Sequence, residues 1–219
     1  MTTKIPDPSL KRLCNIYQIL GSALEEGQRS ISSAEIGKKL GASAYIVRKD
    51  ISHLPEGKGV EDSGKLGLGY DAEKLKHHIA GALGLENPAK VCIVGLGKLG
   101  GAIIGYERLS PSGFEIAAGF DSNVNKLEML KSRVELFPSH EIEDVVRAKG
   151  IEYAIITVPA GSAPEVLEQL VRGGVKGILN YSPAILPQDR DGVFILNIDI
   201  INDLRFMVSH ITASKGEKE

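Results

Sequence analysis

Gly95-Leu96-Gly97-Lys98-Leu99-Gly100 follows an apolar run, Val91 to Val94, and carries the spacing Gly-x-Gly-x-x-Gly. Placed between a strand and a helix, this pattern suits a dinucleotide. Gly95 makes the tight turn, Gly97 lets a pyrophosphate approach the backbone, and Gly100 lets the helix pack closely on the strand. The helix N-terminus adds unpaired N–H groups and a positive dipole end for the phosphates. A second strand-like run, Glu115 to Phe120, ends at Asp121, about 20 residues after the last glycine, where a carboxylate accepts hydrogen bonds from ribose hydroxyls. The same charge repels a 2′-phosphate. No Arg follows within a few positions and Lys126 is the only nearby cation, so NAD(H) is expected over NADP(H). The bland alternative for Asp121 is a strand-end cap.

A second group of side chains points to a different chemistry. Ser43 can cap a helix running to about Leu54, on which Val47, Ile51 and Leu54 share one face. Tyr45, Arg48, Lys49 and Ser52 share the other, at i, i+3, i+4, i+7. A short helix precedes it, opened by the capping box Ser32-x-x-Glu35 and stopped by Gly41. A helix, a tight turn and a helix with a basic, hydroxylic outer face fit a helix-turn-helix. Its second helix enters the major groove and offers donors to bases and phosphates. A small helical cap with a solvated face has the same pattern. Pro55 to Tyr70 holds five glycines with Lys58 and Lys65 among them. It reads either as a hairpin wing with its lysines on flanking phosphates or as a linker.

These groups need elements to hold them. Leu10, Leu13, Tyr17, Leu20 and Leu24, with Ile16 and Ile19 beside them, predict an amphipathic helix from after Ser9 to near Gly27. Asp71 to Leu85 predicts another, and Glu86-Asn87-Pro88 is the expected boundary. Beyond it the chain alternates. Strands are expected at Val134–Phe137, Tyr153–Val158, Gly177–Tyr181 and Val193–Ile195, with helices at Ser139–Lys149 and Ala163–Arg172. The predicted class is α/β, with a doubly wound parallel sheet. Thr157-Val158-Pro159 and Asn180 sit at strand carboxyl ends, where such sheets bind ligands, and are candidate ribose or nicotinamide contacts. A last helix from near Asp199 carries a wide apolar stripe, Ile200, Ile201, Leu204, Met207, Val208 and Ile211. It suits either its own sheet or a partner subunit.

Composition bounds the reading. The 219 residues are 42% hydrophobic and 25% charged, with net charge −2, as for a globular chain of one large or two small domains. Residues 1–85 hold 12 Lys and Arg against 10 Asp and Glu, net +2; residues 86–219 hold 14 against 18, net −4. That asymmetry hints only weakly at an acidic partner. Two cysteines, Cys14 and Cys92, exclude a disulfide framework and a four-thiolate zinc site. With no signal peptide or membrane span visible, a reducing cytoplasm is expected. The five histidines show no metal-ligand or triad spacing, and the dinucleotide fold leaves no room for a substrate domain. A site without chemistry joined to a DNA-reading module suggests a sensor. The alternatives are a small NAD-dependent oxidoreductase with a helical cap, and a nucleotide- or CoA-binding module.

Val47-Arg48-Lys49-Asp50-Ile51-Ser52, Gly64 to Tyr70, Val91 to Gly100, Gly119-Phe120-Asp121, Thr157-Val158-Pro159, Gly177-Ile178-Leu179-Asn180 and Asn197-Ile198-Asp199, in this order, resemble the Rex family of redox-sensing transcriptional repressors. The resemblance covers nearly the whole chain. It implies a winged helix-turn-helix over 1–86, a Rossmann-type NAD(H)-binding domain over 87–197, a domain-swapped C-terminal helix over 198–212 and a disordered tail over 213–219. It implies a homodimer on palindromic operator DNA, released when NADH binds, with no catalysis and no metal. Tyr106 and Asp199 correspond to residues near the nicotinamide, the Asp coming from the partner. Arg12, Arg48 and Lys49 correspond to basic DNA-contacting positions. The chain departs from the family in a longer wing that includes Glu61 and Asp62, and in Arg205, Phe206 and His210 on the last helix.

Overall fold

The structure is a computed structural model that describes residues 5–54 and 69–216. It divides into two compact units, Met1–Asn87 and Pro88–Glu219.

In the first unit, α1 (Asp7–Glu25) buries Leu13, Ile16, Leu20 and Ala23, the spacing of one helix face. It starts three residues earlier than its apolar pattern, at Asp7 rather than Leu10, because Pro8 fits a first helical turn that needs no N–H. β1 (Ser30–Ile31) leads into α2 (Ser33–Leu40). Here the capping box is complete: Ser32 Oγ accepts from Glu35 N and Glu35 accepts from Ser32 N. After Gly41 the chain enters α3 (Ala44–Ile51), whose N–H of Ile46 donates to Ser43 Oγ. β2 (Tyr70–Asp71) pairs antiparallel with β1. α4 (Ala72–Leu83) follows, capped by Asp71 and ended by Gly84 in the left-handed region. Leu13, Ile16, Leu20, Ile36, Val47, Ile51, Leu75 and Ile79 form one core. The glycine-rich stretch between α3 and β2, with Lys58 and Lys65, lies outside the described residues.

The second unit is a seven-stranded sheet in the order β5-β4-β3-β6-β7-β9-β8. The strands are β3 (Ala89–Val94), β4 (Phe114–Asp121), β5 (Leu136–Pro138), β6 (Tyr153–Ile156), β7 (Gly177–Asn180), β8 (Asp189–Arg190) and β9 (Val193–Asn197). All pair in parallel except the edge strand β8. The helices are α5 (Lys98–Ile104), α6 (Val124–Met129), α7 (Ile142–Lys149), α8 (Ala163–Gly173) and α9 (Ile200–Gly216). Strand β3 reads as a continuous apolar run because both its faces are covered. Cys92 and Val94 join the cluster of Phe120, Ile142, Val146 and Leu170, while Val91 and Ile93 join that of Leu96 and Ile155.

Three details differ from the periodicity. Helix α6 and strand β8 are too short to show a period. Strand β5 starts at Leu136 rather than Val134. Helix α9 continues through Gly216 instead of ending at 212, since nothing before Gly216 breaks it and Thr212 Oγ1 donates back to Val208 O. Every side chain from Asp199 to Ser214 is exposed.

Candidate dinucleotide cleft and nucleic-acid-facing helix

Strand order reverses between β3 and β6, so their carboxyl ends open a crevice where doubly wound sheets take ligands. The glycine loop leaves β3 there and is held rigidly. Gly95 N–H donates to Phe120 O at 2.7 Å, and Thr157 Oγ1 donates to Gly95 O at 2.6 Å. Gly95 sits at φ +95°. A Cβ on Gly100 would stand 1.9 Å from Gly95 O, whereas one on Gly97 would meet nothing within 4 Å. The loop is thus closed beneath Gly100 and open above Gly97, a cradle that a side chain at 97 would fill and that a pyrophosphate fits. Gly97, Lys98 and Leu99 are exposed, and Leu96 is buried.

The adjoining cleft encloses about 570 Å³ and is lined by Gly95, Gly97, Asp121, Thr157, Val158 and Pro159, among others. Asp121 is 5% exposed. Its Oδ2 accepts from Leu96 N and its Oδ1 from Asn123 N, both at 2.8 Å, and Lys126 Nζ lies 3.2 Å from Oδ2. Burial pushes this carboxyl up. The two backbone donors and the Lys126 ammonium outweigh it and hold the group below the usual aspartate range. Asp121 therefore clamps the glycine loop, and Lys126 Nζ approaches both of its oxygens, at 3.5 Å from Oδ1 and 3.2 Å from Oδ2.

Three sequence candidates lie elsewhere. Tyr106 lines a separate groove of about 530 Å³ with Leu109 and Arg133. Asp199 caps α9, its Oδ1 accepting from Ile201 N and Asn202 N. Asn180 is 1% exposed. Its Nδ2 donates to Ala184 O and Asn197 Oδ1, and its Oδ1 accepts from Ser182 N. That amide shapes the loop after β7, through both N–H groups of Nδ2 and one acceptance at Oδ1. Lys126, Ser139, His140 and Tyr181 line the cleft as well. The signal for Ser139 and His140 was their place just after β5, at a strand carboxyl end.

On α3, Tyr45, Arg48, Lys49 and Ser52 are exposed and Val47 and Ile51 buried. Arg48 Nη1 donates to Ser33 Oγ at 2.9 Å, which aims its guanidinium from α2. Ser52 Oγ is turned back onto Lys49 O. Arg12 does not share this face. It meets Asp50, the inward carboxylate of α3, with Nε to Oδ2 at 2.5 Å and Nη2 to Oδ1 at 2.8 Å. The signal for Asp50 was an acid among the inward positions Val47, Ile51 and Leu54, where a charge needs a partner. Burial pushes Asp50 up, and the Arg12 and Ser9 hydrogen bonds bring it below the usual range. A carboxyl depressed by folding stabilises above its unfolded pKa and loses that stabilisation as pH falls through its folded one. The N-terminal unit is therefore expected to lose stability below about pH 4, and Asp50→Asn should flatten the pH dependence of its thermal unfolding.

Among the described residues no group of three or more His, Cys, Asp or Glu is placed to hold a metal ion, and no helix is long and apolar enough to cross a membrane.

Residues 86–184 match the family described as "CoA binding domain", and residues 4–52 that described as "Putative DNA-binding protein N-terminus". The redox-sensing transcriptional repressor Rex of Roseiflexus sp. (strain RS-1) is 38% identical over 206 residues, 94% of this chain and 90% of that one. Rex 1 of Thermotoga maritima is 35% identical over 96% of this chain and 98% of its own. Among solved structures, RSP in complex with β-NAD+ and operator DNA aligns with TM-score 0.85 and 29% identity over 99% of this chain and 96% of that one. RSP, described as a Rex-family repressor, aligns with TM-score 0.80 and 28% identity over 99% and 98%. A DNA-reading helix pair in one chain with a doubly wound, dinucleotide-type cleft defines a ligand-sensing transcriptional regulator. The chain belongs to the Rex family of redox-sensing transcriptional repressors. These relatives are named as repressors, which does not support the oxidoreductase reading.

Proposed function

We propose that this protein is a cytoplasmic homodimeric repressor that holds palindromic operator DNA and leaves it when NADH binds. The observation that carries the reading is the coexistence of α3's exposed basic face with a cleft whose floor is open above Gly97 and whose lining includes Asp121. RSP has been solved both with β-NAD+ and operator DNA and with β-NADH, which supports the same pair of ligands here.

In this reading Gly95, Leu96, Gly97, Lys98, Leu99 and Gly100 shape the pyrophosphate cradle, Asp121 takes the adenosine ribose, and Thr157, Val158 and Pro159 wall the nicotinamide half. Tyr106 and Asp199 reach the nicotinamide only in the dimer, Asp199 from the partner. Helix α9 is the swapped element. Its stripe of Ile200, Leu204, Met207 and Ile211 is exposed, as are Phe194 (64%) and Leu196 (43%) on the sheet, and a second copy would cover such apolar surfaces. Ser43, Tyr45, Arg48, Lys49, Ser52, Lys58 and Lys65 face the DNA. Two copies of α3 must stand about 34–36 Å apart to enter successive major grooves. Full release needs NADH to favour the incompetent arrangement by about 10⁴-fold, roughly 5.5 kcal/mol.

A mobility shift on a palindromic operator at stated salt, titrated separately with NADH, NAD+ and CoA, tests this. Release by NADH alone is expected; release by CoA, or none by NADH, overturns it. Asp121→Ala should lower NADH affinity on the order of 10- to 100-fold, because it also leaves the buried Leu96 N–H unpaired at about 1–3 kcal/mol. It should also relax rejection of NADPH. Calorimetric titration with both dinucleotides reads this out, and unchanged affinities would leave Asp121 a strand-end cap.

A further inference from the structure

The recognition helix α3 is only eight residues long, and its apolar anchors are Val47 and Ile51, with Leu54 just beyond. Apolar contacts are non-directional, so they hold a two-turn helix down without fixing its rotation about its own axis. Rotation decides whether Arg48 and Lys49 meet a groove. Asp50 supplies the missing constraint. Its side chain is 1% exposed, and both its oxygens are taken by the planar fork of Arg12, one helix away. Arg12 Nη2 also lies 3.4 Å from the hydroxyl of the buried Ser9. A bidentate guanidinium–carboxylate pair fixes distance and plane together. If either partner is lost, a buried charge is left uncompensated, and the cheapest relief is for α3 to roll until Asp50 meets water, carrying Arg48 and Lys49 with it.

We propose that Arg12 is a positioning residue for operator binding. It sets the rotation of α3 through Asp50 rather than through a phosphate contact of its own. This rests on the operator-binding reading above and replaces the basic-contact role that the family resemblance implies for Arg12.

The test compares operator affinity across a salt series for the full-length wild type, Arg12→Lys, Arg12→Gln, Asp50→Asn and the double Arg12→Gln/Asp50→Asn. Arg12→Lys keeps the charge and the stem but not the fork, so it carries the test even where an emptied site fails to fold. It should lose roughly tenfold or more in affinity, with an unchanged slope of log affinity against log salt. Asp50→Asn should lose at least as much although it touches no DNA, and the double variant, with a neutral amide pair, should bind better than Asp50→Asn. NADH affinity should stay at the wild-type value throughout. The proposal is overturned by Asp50→Asn binding as the wild type does. Arg12→Lys within about threefold of wild type, with Arg12→Gln lowering the salt slope by about one, would also overturn it, since that is the mark of a phosphate contact. A wild-type chain that shifts no operator sinks the operator reading itself, a result distinct from any pattern among the variants.

Discussion

Gly100→Ala is expected to abolish NADH binding while leaving operator binding intact, producing a repressor that no longer responds. The added Cβ would stand 1.9 Å from Gly95 O and 2.7 Å from Thr157 Oγ1. Neither atom can yield cheaply. Gly95 O accepts the Thr157 hydroxyl, and Gly95 N–H is tied to β4. Overpacking of this kind costs about 1–3 kcal/mol or more. Here the strain falls on the backbone that must meet the pyrophosphate, so α5 backs away from β3 and the cradle opens. NADH titration by fluorescence should show at least about 100-fold weaker binding. Gly101→Ala is the internal control, since its Cβ would meet nothing closer than Leu96 O at 4.0 Å. A Gly100→Ala protein binding NADH within about threefold of wild type would show that the loop is softer than its contacts imply.

The double variant Arg48→Ala/Lys49→Ala should lose operator binding by about 100-fold or more, since a base-reading Arg is worth about 1–3 kcal/mol and a phosphate-bound Lys adds a sequence-independent share. The salt slope should become shallower, in contrast to Arg12→Lys. Both side chains are exposed, so folding and NADH affinity should be unaffected. A mobility shift at matched salt decides it, and wild-type operator affinity in the double variant would remove α3 from the groove.

Much of this architecture is visible in residue types and spacing because it is encoded locally. The Ser32–Glu35 box, the Ser43 cap, the stop at Gly41 and the inward set Val47, Ile51 and Leu54 each depend on residues within a turn or two. The glycine loop is legible for the same reason: three glycines at fixed offsets after an apolar run answer to one backbone path. Asp121 is legible by its position at the end of the second strand. Less local features are harder to see. Helix α6 and strand β8 are too short for a period to emerge, and α9 runs past 212 because its end is set by the absence of a breaker rather than by a signal.

By itself, the sequence determined the two domains, the helix that carries Arg48 and Lys49 on one side, the dinucleotide loop and the carboxylate that follows it. Tertiary structure alone decided what several polar side chains are for. Arg12 and Asp50 are 38 positions apart, and no spacing rule pairs them; only the packing of α1 on α3 turns a basic residue into a brace. Asn180 looks like a strand-end ligand, and its amide shapes the loop after β7 through Ala184, Ser182 and Asn197. Asp121, proposed as the ribose acceptor, is also a loop clamp because β4 lies beside β3, bringing its carboxylate to Leu96 N–H. The physical reason is common to all three. A side chain's type states which hydrogen bonds and charges it can offer, but burial forces those groups onto whatever the fold brings within 3 Å or so, and that neighbour is set by topology.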